Sequence, residues 1–114
     1  MLLNDGAVGG RQIVAPAIIE TLERGGDRDA FGRGPEAVGA FADGDWSYRA
    51  QWWIRHTPGR QAVMAIGIHG QWIYVDRAHR VAIVKQSSQP TSVDLEIDQF
   101  ILNAFDAVVD HLTG

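Results

Sequence analysis

The chain has no cysteine, which excludes a disulfide framework and any thiolate metal site. It has no run of about 18 apolar residues, the length a membrane span needs. Its ten lysines and arginines are scattered, whereas a nucleic-acid footprint needs them clustered. No basic stretch precedes an apolar core at the N-terminus, so no secretory signal is read. No two of His56, His69, His79 and His111 have the i, i+4 spacing of a helical metal site. No metal or other cofactor is expected, and His56, His79 and His111 read as surface residues. Internal repeats and low-complexity tracts are absent. With a formal net charge of −4, the default expectation is a soluble cytoplasmic chain, unless a signal preceded Met1.

What remains is an ordinary globular composition. At 114 residues and 46% apolar content, the chain is one domain or a piece of one, with enough apolar residues for a core. Met1-Leu2-Leu3 followed by Asn4-Asp5-Gly6 looks like a helix stop, so the chain is expected to open at the last turn of a helix. Pro16 suits a first helical turn, and Ile18, Ile19 and Leu22 continue it until Gly25-Gly26, which predicts a helix from Pro16 to Arg24. Residues 25–45 hold six glycines and read as a loop-rich connector, anchored by Ala30-Phe31, Ala37-Val38 and Phe41. Trp46 to His56 alternates with period two, which predicts one half-buried strand. After the turn Thr57-Pro58-Gly59-Arg60, a second strand runs from Ala62 to Ile68, and Gln71 to Val75 continues or re-aims it. Asp76 to Arg80 makes a polar hairpin connection into a strand from Val81 to Gln86. Ser92 or Asp94 can cap a final helix, in which Ile97, Phe100, Ile101, Ala104, Phe105, Val108, Val109 and Leu112 form an amphipathic stripe. The expected fold is α+β: an antiparallel sheet of at least three strands with the C-terminal helix across one face. It divides into a connector (1–45), strands (46–88) and helix (92–113) within a single partial domain.

The stretch with most chemical content is Gly67-Ile68-His69-Gly70-Gln71. Glycine inside a strand marks a bulge or a close approach to the backbone, and two glycines around Ile68 and His69 suggest a strand edge that admits a ligand. His69 reads more readily as a structural hydrogen-bond partner than as a base. Tyr48, Trp52, Trp53, Trp72 and Tyr74 crowd two predicted strands. Most are core, but Trp53 and Trp72 are offset from the best-packed face and are candidates to line an apolar pocket. Ser87 and Ser88 lie in a plain loop exit beside Lys85 and lack the held base that a nucleophile needs. The acidic residues of the last helix, Glu96, Asp98, Asp106 and Asp110, read as a solvated face.

Three ordered segments carry a family likeness. They are Tyr48-Arg49-Ala50-Gln51-Trp52-Trp53, then Gly67 through Asp76, then Val81-Ala82-Ile83-Val84-Lys85. With the Gly-Arg-x-Ile-Val connection at Gly10 to Val14 and the final helix, the set resembles the C-terminal part of serine β-lactamase-like hydrolases. The nearest branch is that of 6-aminohexanoate-dimer hydrolases and class C-like esterases. The resemblance implies a partial β-lactamase/transpeptidase-like fold and hydrolysis of a small amide or ester. It implies that the Ile68 backbone N–H serves the oxyanion hole, with Gly67, His69, Trp53 and Trp72 at the substrate. By this resemblance the family's Lys-Thr-Gly strand motif corresponds to Ala65-Ile66-Gly67 here. Neither its Ser-x-x-Lys nor its Tyr-x-Asn occurs in these residues. The nucleophile and base would lie before Met1, and the chain is expected to be inactive alone. Its expected partners are that missing catalytic region or a second copy in a homodimer. The alternative function is a non-catalytic binding or interaction domain that keeps the strand scaffold.

Overall fold

A computed structural model describes all 114 residues. A single 3₁₀ turn, Leu2–Asn4, ends at Asp5 in the left-handed region (φ 52°). A two-residue hairpin follows, β1 (Ala7–Val8) with β2 (Arg11–Gln12). Helix α1 spans Pro16–Arg24, with Pro16 in its first turn and Gly25 past its end. The connector holds a short helix α2 (Arg28–Arg33), capped by the Asp27 carboxylate on Ala30 N, and a 3₁₀ turn at Gly39–Phe41. Then come β3 (Trp46–Arg49), β4 (Trp52–Arg55), β5 (Ala62–Gly67), β6 (Gln71–Asp76) and β7 (Val81–Lys85), and finally α3 (Leu95–Thr113). The five strands form one antiparallel meander in sequence order. The architecture is thus α+β, with the C-terminal helix on one face of the sheet. No helix is long and apolar enough to cross a membrane.

Two strand assignments are corrected. Trp46 to His56 is a hairpin, not one strand: Ala50 and Gln51 both have positive φ (51° and 70°), and Arg49 pairs with Trp52 across them. Positive φ at both central residues is the type I′ turn that matches strand twist, and here neither residue is the usual Asn or Gly. The hairpin changes the facing of the aromatics. Trp53 sits opposite Tyr48 and Met64, on the packed side of the sheet, and touches Phe31, Phe41 and Tyr48. The second correction concerns Ile68-His69-Gly70. These residues form a 3₁₀ turn that reverses the chain, with Gly67 paired to Gln71 across it. The glycine-rich stretch is therefore the tip of the β5–β6 hairpin, not an edge strand.

The larger core lies between the sheet and α3. Trp46, Met64, Trp72 and Tyr74 meet Ile101, Leu102, Phe105 and Val109, all buried. Phe105 stands edge-on to Trp72 and tilted against Tyr74, with ring centroids 5.8 and 5.2 Å away. Each such side chain contributes about 1.5–3 kcal/mol on burial, so this eleven-residue cluster outweighs the four-residue one on the other face. There Leu22 of α1 covers Ile54, Val63 and Val75. The start of α3 is fixed by Asp94, whose carboxylate accepts from Glu96 N and Ile97 N, while Glu96 and Asp98 suit the positive end of the helix dipole. Further along, Arg55 of β4 grips Asp106 of α3 through two bonds of 2.8 and 3.1 Å. Apolar side chains remain exposed on both outer surfaces: Phe100, Val108 and Leu112 on α3, Ile73 and Val84 on the sheet.

Candidate functional site

The hairpin tip is held from one side by the segment between β7 and α3. Lys85 Nζ donates to Gly70 O (2.9 Å). The Gln71 side-chain amide donates to Ser87 O, and its Oε1 accepts from Ser87 N (3.3 Å). His69 N donates to Ser92 O, and His69 Nδ1 bonds Gln89 O, both at 3.0 Å. A carbonyl only accepts, so Nδ1 carries the proton. The left-handed turn needs Gly70 (φ 80°), where a Cβ would lie 2.8 Å from Gln89 Oε1. His69 adopts φ 58° without a glycine's freedom, fastened through both its backbone and its ring.

At the front of this tip Ile68 is exposed. Its amide is the first of the turn, which leaves it no partner within the turn. None of the 18 backbone hydrogen bonds outside helices and strands is donated by it. Beside it lies a cavity of about 210 Å³. Its apolar wall comes from Val38 and Phe41 of the connector, Trp53 of β4, Ile66 of β5, Ile68, and Val93 and Leu95 at the start of α3. Its polar groups are Glu36, Gln89, Ser92 and Asp98, and no Lys, Arg or His lines it.

The structure therefore brings Gly67, Ile68 and Trp53 to one cavity. It places Trp72 and His69 elsewhere. Trp72 is 2% exposed and packs under α3, because its register position opposite Ile66 points it into the core. His69 stands behind the tip and ties it to the loop. The solvated face expected on α3 also needs correction. Asp98 is only 8% exposed and lines the cavity. Burial first, and then the charge of Asp94, push its carboxyl above the usual carboxylate range against the pull of Lys85. Asp106 and Asp110 are engaged by Arg55 and Arg60.

Two of the histidines read as surface residues are also engaged. His79 Nδ1 lies 2.8 Å from Asp76 Oδ2, and Asp76 Oδ1 accepts His79 N (2.9 Å), which closes the β6–β7 turn. The spacing Asp76-x-x-His79 signals this bond in the sequence. His56 Nε2 lies 2.7 Å from Ser47 Oγ. A serine–imidazole pair invites comparison with a nucleophile and base, but Ser47 is fully buried and also accepts from Gly26 N (3.0 Å). A Cβ on Gly25 would sit 2.3 Å from Ser47 Oγ, so no substrate atom reaches that oxygen. The pair fastens the end of α1 to the sheet, and burial, reinforced by Arg28 and opposed by Asp45, lowers the His56 pKa. Ser92, the one hydroxyl in the cavity lining, has no base in that lining to activate it. Ser87 Oγ accepts from Gln89 N, as a loop brace does.

No family model matches the chain. A curated relative named "6-aminohexanoate-dimer hydrolase" from Paenarthrobacter ureafaciens is 37% identical over 90 residues, which is 79% of this chain and 22% of the relative. A solved structure described as "Putative 6-aminohexanoate-dimer hydrolase from Bacillus anthracis" superposes with a TM-score of 0.75 at 32% identity, over 97% of this chain and 26% of that one. The chain spans about a quarter of the length of these relatives.

Proposed function

Nearly all of this chain is similar in sequence and fold to about a quarter of 6-aminohexanoate-dimer hydrolase-like proteins, and from that premise we propose that it is one wall of a serine hydrolase site for small amides or esters. In this reading the Ile68 amide is an oxyanion donor and Trp53, Gly67 and Ile68 face the substrate. The observation that carries it is the position of that amide, at the front of a braced hairpin tip and beside a cavity lined by Trp53. A backbone donor stabilises the charge that develops on a tetrahedral intermediate, and losing one costs about 10²–10³ in kcat. Gly67 has no side chain to keep an acyl group from the backbone.

The same reading makes the 114 residues inactive by themselves. Neither Ser-x-x-Lys nor Tyr-x-Asn is present, Ser47 is sealed, and oxyanion stabilisation alone is a small part of such catalysis. The test is a chimera in which this chain replaces the matching segment of the Paenarthrobacter hydrolase. The chimera is expected to hydrolyse an amide or p-nitrophenyl ester, and Ile68→Pro, which deletes the N–H, is expected to cut kcat by about 10²–10³. A folded chimera without activity refutes the assignment, and serine-dependent turnover by the isolated chain refutes its dependence on an outside nucleophile.

A second reading rests on the apolar side chains exposed on both outer surfaces, Phe100, Val108 and Leu112 on α3 and Ile73 and Val84 on the sheet. They suit a non-catalytic interaction domain that buries them against a second copy, and a monomeric mass at micromolar concentration refutes the homodimer.

A further inference from the structure

The joint between α1 and α2 rests on the sheet through a buried serine. Ser47 of β3 is fully buried, and its Oγ has two polar partners, Gly26 N at 3.0 Å and His56 Nε2 at 2.7 Å. An amide N–H only donates, so the serine's own proton has one place to go, the imidazole. Nε2 is therefore the acceptor, and the neutral ring carries its proton on Nδ1. The joint fits closely around this pair. A Cβ on Gly25 would lie 2.3 Å from Ser47 Oγ and 3.0 Å from His56 Nε2, and one on Gly26 would lie 2.3 Å from Tyr48 O. Gly25 O also accepts from Arg49 Nη1 (3.2 Å).

A proton on Nε2 reverses the arrangement. Ser47 Oγ would then face two donors, Gly26 N and Nε2–H, and its own hydroxyl proton would have no acceptor. A buried polar group left in that state is costly, and native structures rarely hold one. The ring is within reach of a proton from water, because His56 is half-buried and lines a cleft of about 460 Å³ with Glu20, Glu23 and Arg24 of α1, Arg55 of β4, and Gln61. Burial and then Arg28 of α2 oppose an imidazolium, and Asp45 favours one. Asp45 is already engaged, since its carboxylate accepts from Arg28 (2.8 Å) and Thr57 (3.1 Å). Glu23 is held by Arg77, and Glu20 and Arg24, one turn apart, have opposite signs. No free carboxylate waits to hold a charged ring in place.

The joint leads into α2, and α2 backs the cavity. Phe31 of α2 stands edge-on to Trp53 with ring centroids 5.8 Å apart, and Trp53 lines the space beside Ile68. We propose that Ser47 and His56 form a proton-operated latch: the neutral imidazole holds the α1–α2 joint on β3, and protonation at Nε2 releases the joint and loosens α2 from Trp53. The ring takes up one proton from water, and no covalent bond between heavy atoms changes. The latch rests on these contacts and not on the hydrolase reading.

The test is NMR of the unmodified chain between about pH 8 and pH 5, the range in which histidine changes charge. At the upper end, the ring nitrogen shifts of His56 are expected to show a proton on Nδ1 and none on Nε2. The latched state has its His56 pKa lowered from 6.5, so it binds fewer protons than the released state. The latch is therefore intact above 6.5 and weakens as pH falls toward the lowered value. Across that window the protection factor of the Gly26 amide should drop about 10-fold per pH unit. The Trp53 indole signal should shift in step, while the His69 amide in the hairpin tip keeps its protection. Ser47→Ala, which deletes the hydroxyl, should leave Gly26 unprotected at every pH. A proton on Nε2 at the upper end, a level Gly26 protection factor, an equal loss at His69, or a protected Gly26 in Ser47→Ala overturns the proposal. The first three measurements need no variant to fold, and none of them bears on the assignment of the Ile68 amide.

Discussion

Replacing Gly70 by alanine tests whether the hairpin tip is held by its neighbours or by its own turn. Gly70 has φ 80°, and a Cβ there would lie 2.8 Å from Gln89 Oε1 and 3.1 Å from Ser87 Cβ and Oγ. The left-handed backbone alone costs an alanine about 1 kcal/mol. Gln89 and Ser87 must then retreat, and they belong to the segment that accepts from His69 and Gln71. Each neutral hydrogen bond lost adds about 1 kcal/mol, and weakening the bond from Lys85 Nζ adds somewhat more. The sum is about 2–4 kcal/mol, against a total stability of roughly 6–17 kcal/mol for a chain of this length. At about 4 °C per kcal/mol, Tm falls by about 8–16 °C. Gly59→Ala is the control: its φ is 75°, but nothing lies within 4 Å of the added Cβ, so only the backbone cost applies and Tm falls by about 4 °C. Thermal unfolding by circular dichroism measures both, and hydrogen exchange at 67–71 and 87–92 should accelerate in the first variant alone. Equal Tm losses in the two variants would refute a tip braced by the 85–92 segment.

Asp106→Asn leaves the Arg55 guanidinium, 13% exposed in its side chain, without its bidentate partner. It should cost about 2–3 kcal/mol in urea unfolding, whereas Asp110→Asn, in the exposed pair with Arg60, should barely move the midpoint. Equal effects would contradict the difference in burial. Because burial lowers the His56 pKa from 6.5, the unfolded chain takes up that proton first. The native state should therefore lose stability as pH falls from about 6.5 toward the lowered native value and keep it above 6.5. His56→Gln should flatten that slope in denaturant titrations at a series of pH values, and an unchanged slope would assign it to another group.

Helix α1, the amphipathic α3 and the antiparallel meander were legible because each declares itself through spacing: Pro16 to Gly25 for one, the stripe from Ile97 to Leu112 for the next. The β3–β4 hairpin was not. Ala50-Gln51 lacks the Asn or Gly that announces a type I′ turn, and the period-two pattern runs through it without a break. The hairpin also shapes the site, since folding the strand back sets Trp53 opposite Tyr48 and Met64 as a packed wall. Trp72 and Trp53 look alike in sequence; only the register, which sets Trp72 under Phe105, tells core from cavity. Asp98 was hidden for a related reason. Its helical position beside Asp94 and Glu96 reads as solvated, and it is the connector, crossing from Val38 to Phe41 to help wall the cavity it lines, that takes it out of water. Contacts between segments far apart in sequence leave no local signature.

The same long-range contacts bear on the role proposed for the Ile68 amide. An oxyanion donor is useful only if it is in place before charge develops, so that no reorganisation is needed during the reaction. A free hairpin turn of three residues does not meet that condition. This one is tied by His69 and Gly70 to Ser92, Gln89 and Lys85, and the chain from Gln89 runs directly into the Asp94 cap and Asp98 on the first turn of α3. The segment that positions the Ile68 amide is thus continuous with the capped start of α3, which packs on the sheet. About five hydrogen bonds, each worth about 1 kcal/mol, hold that amide in place.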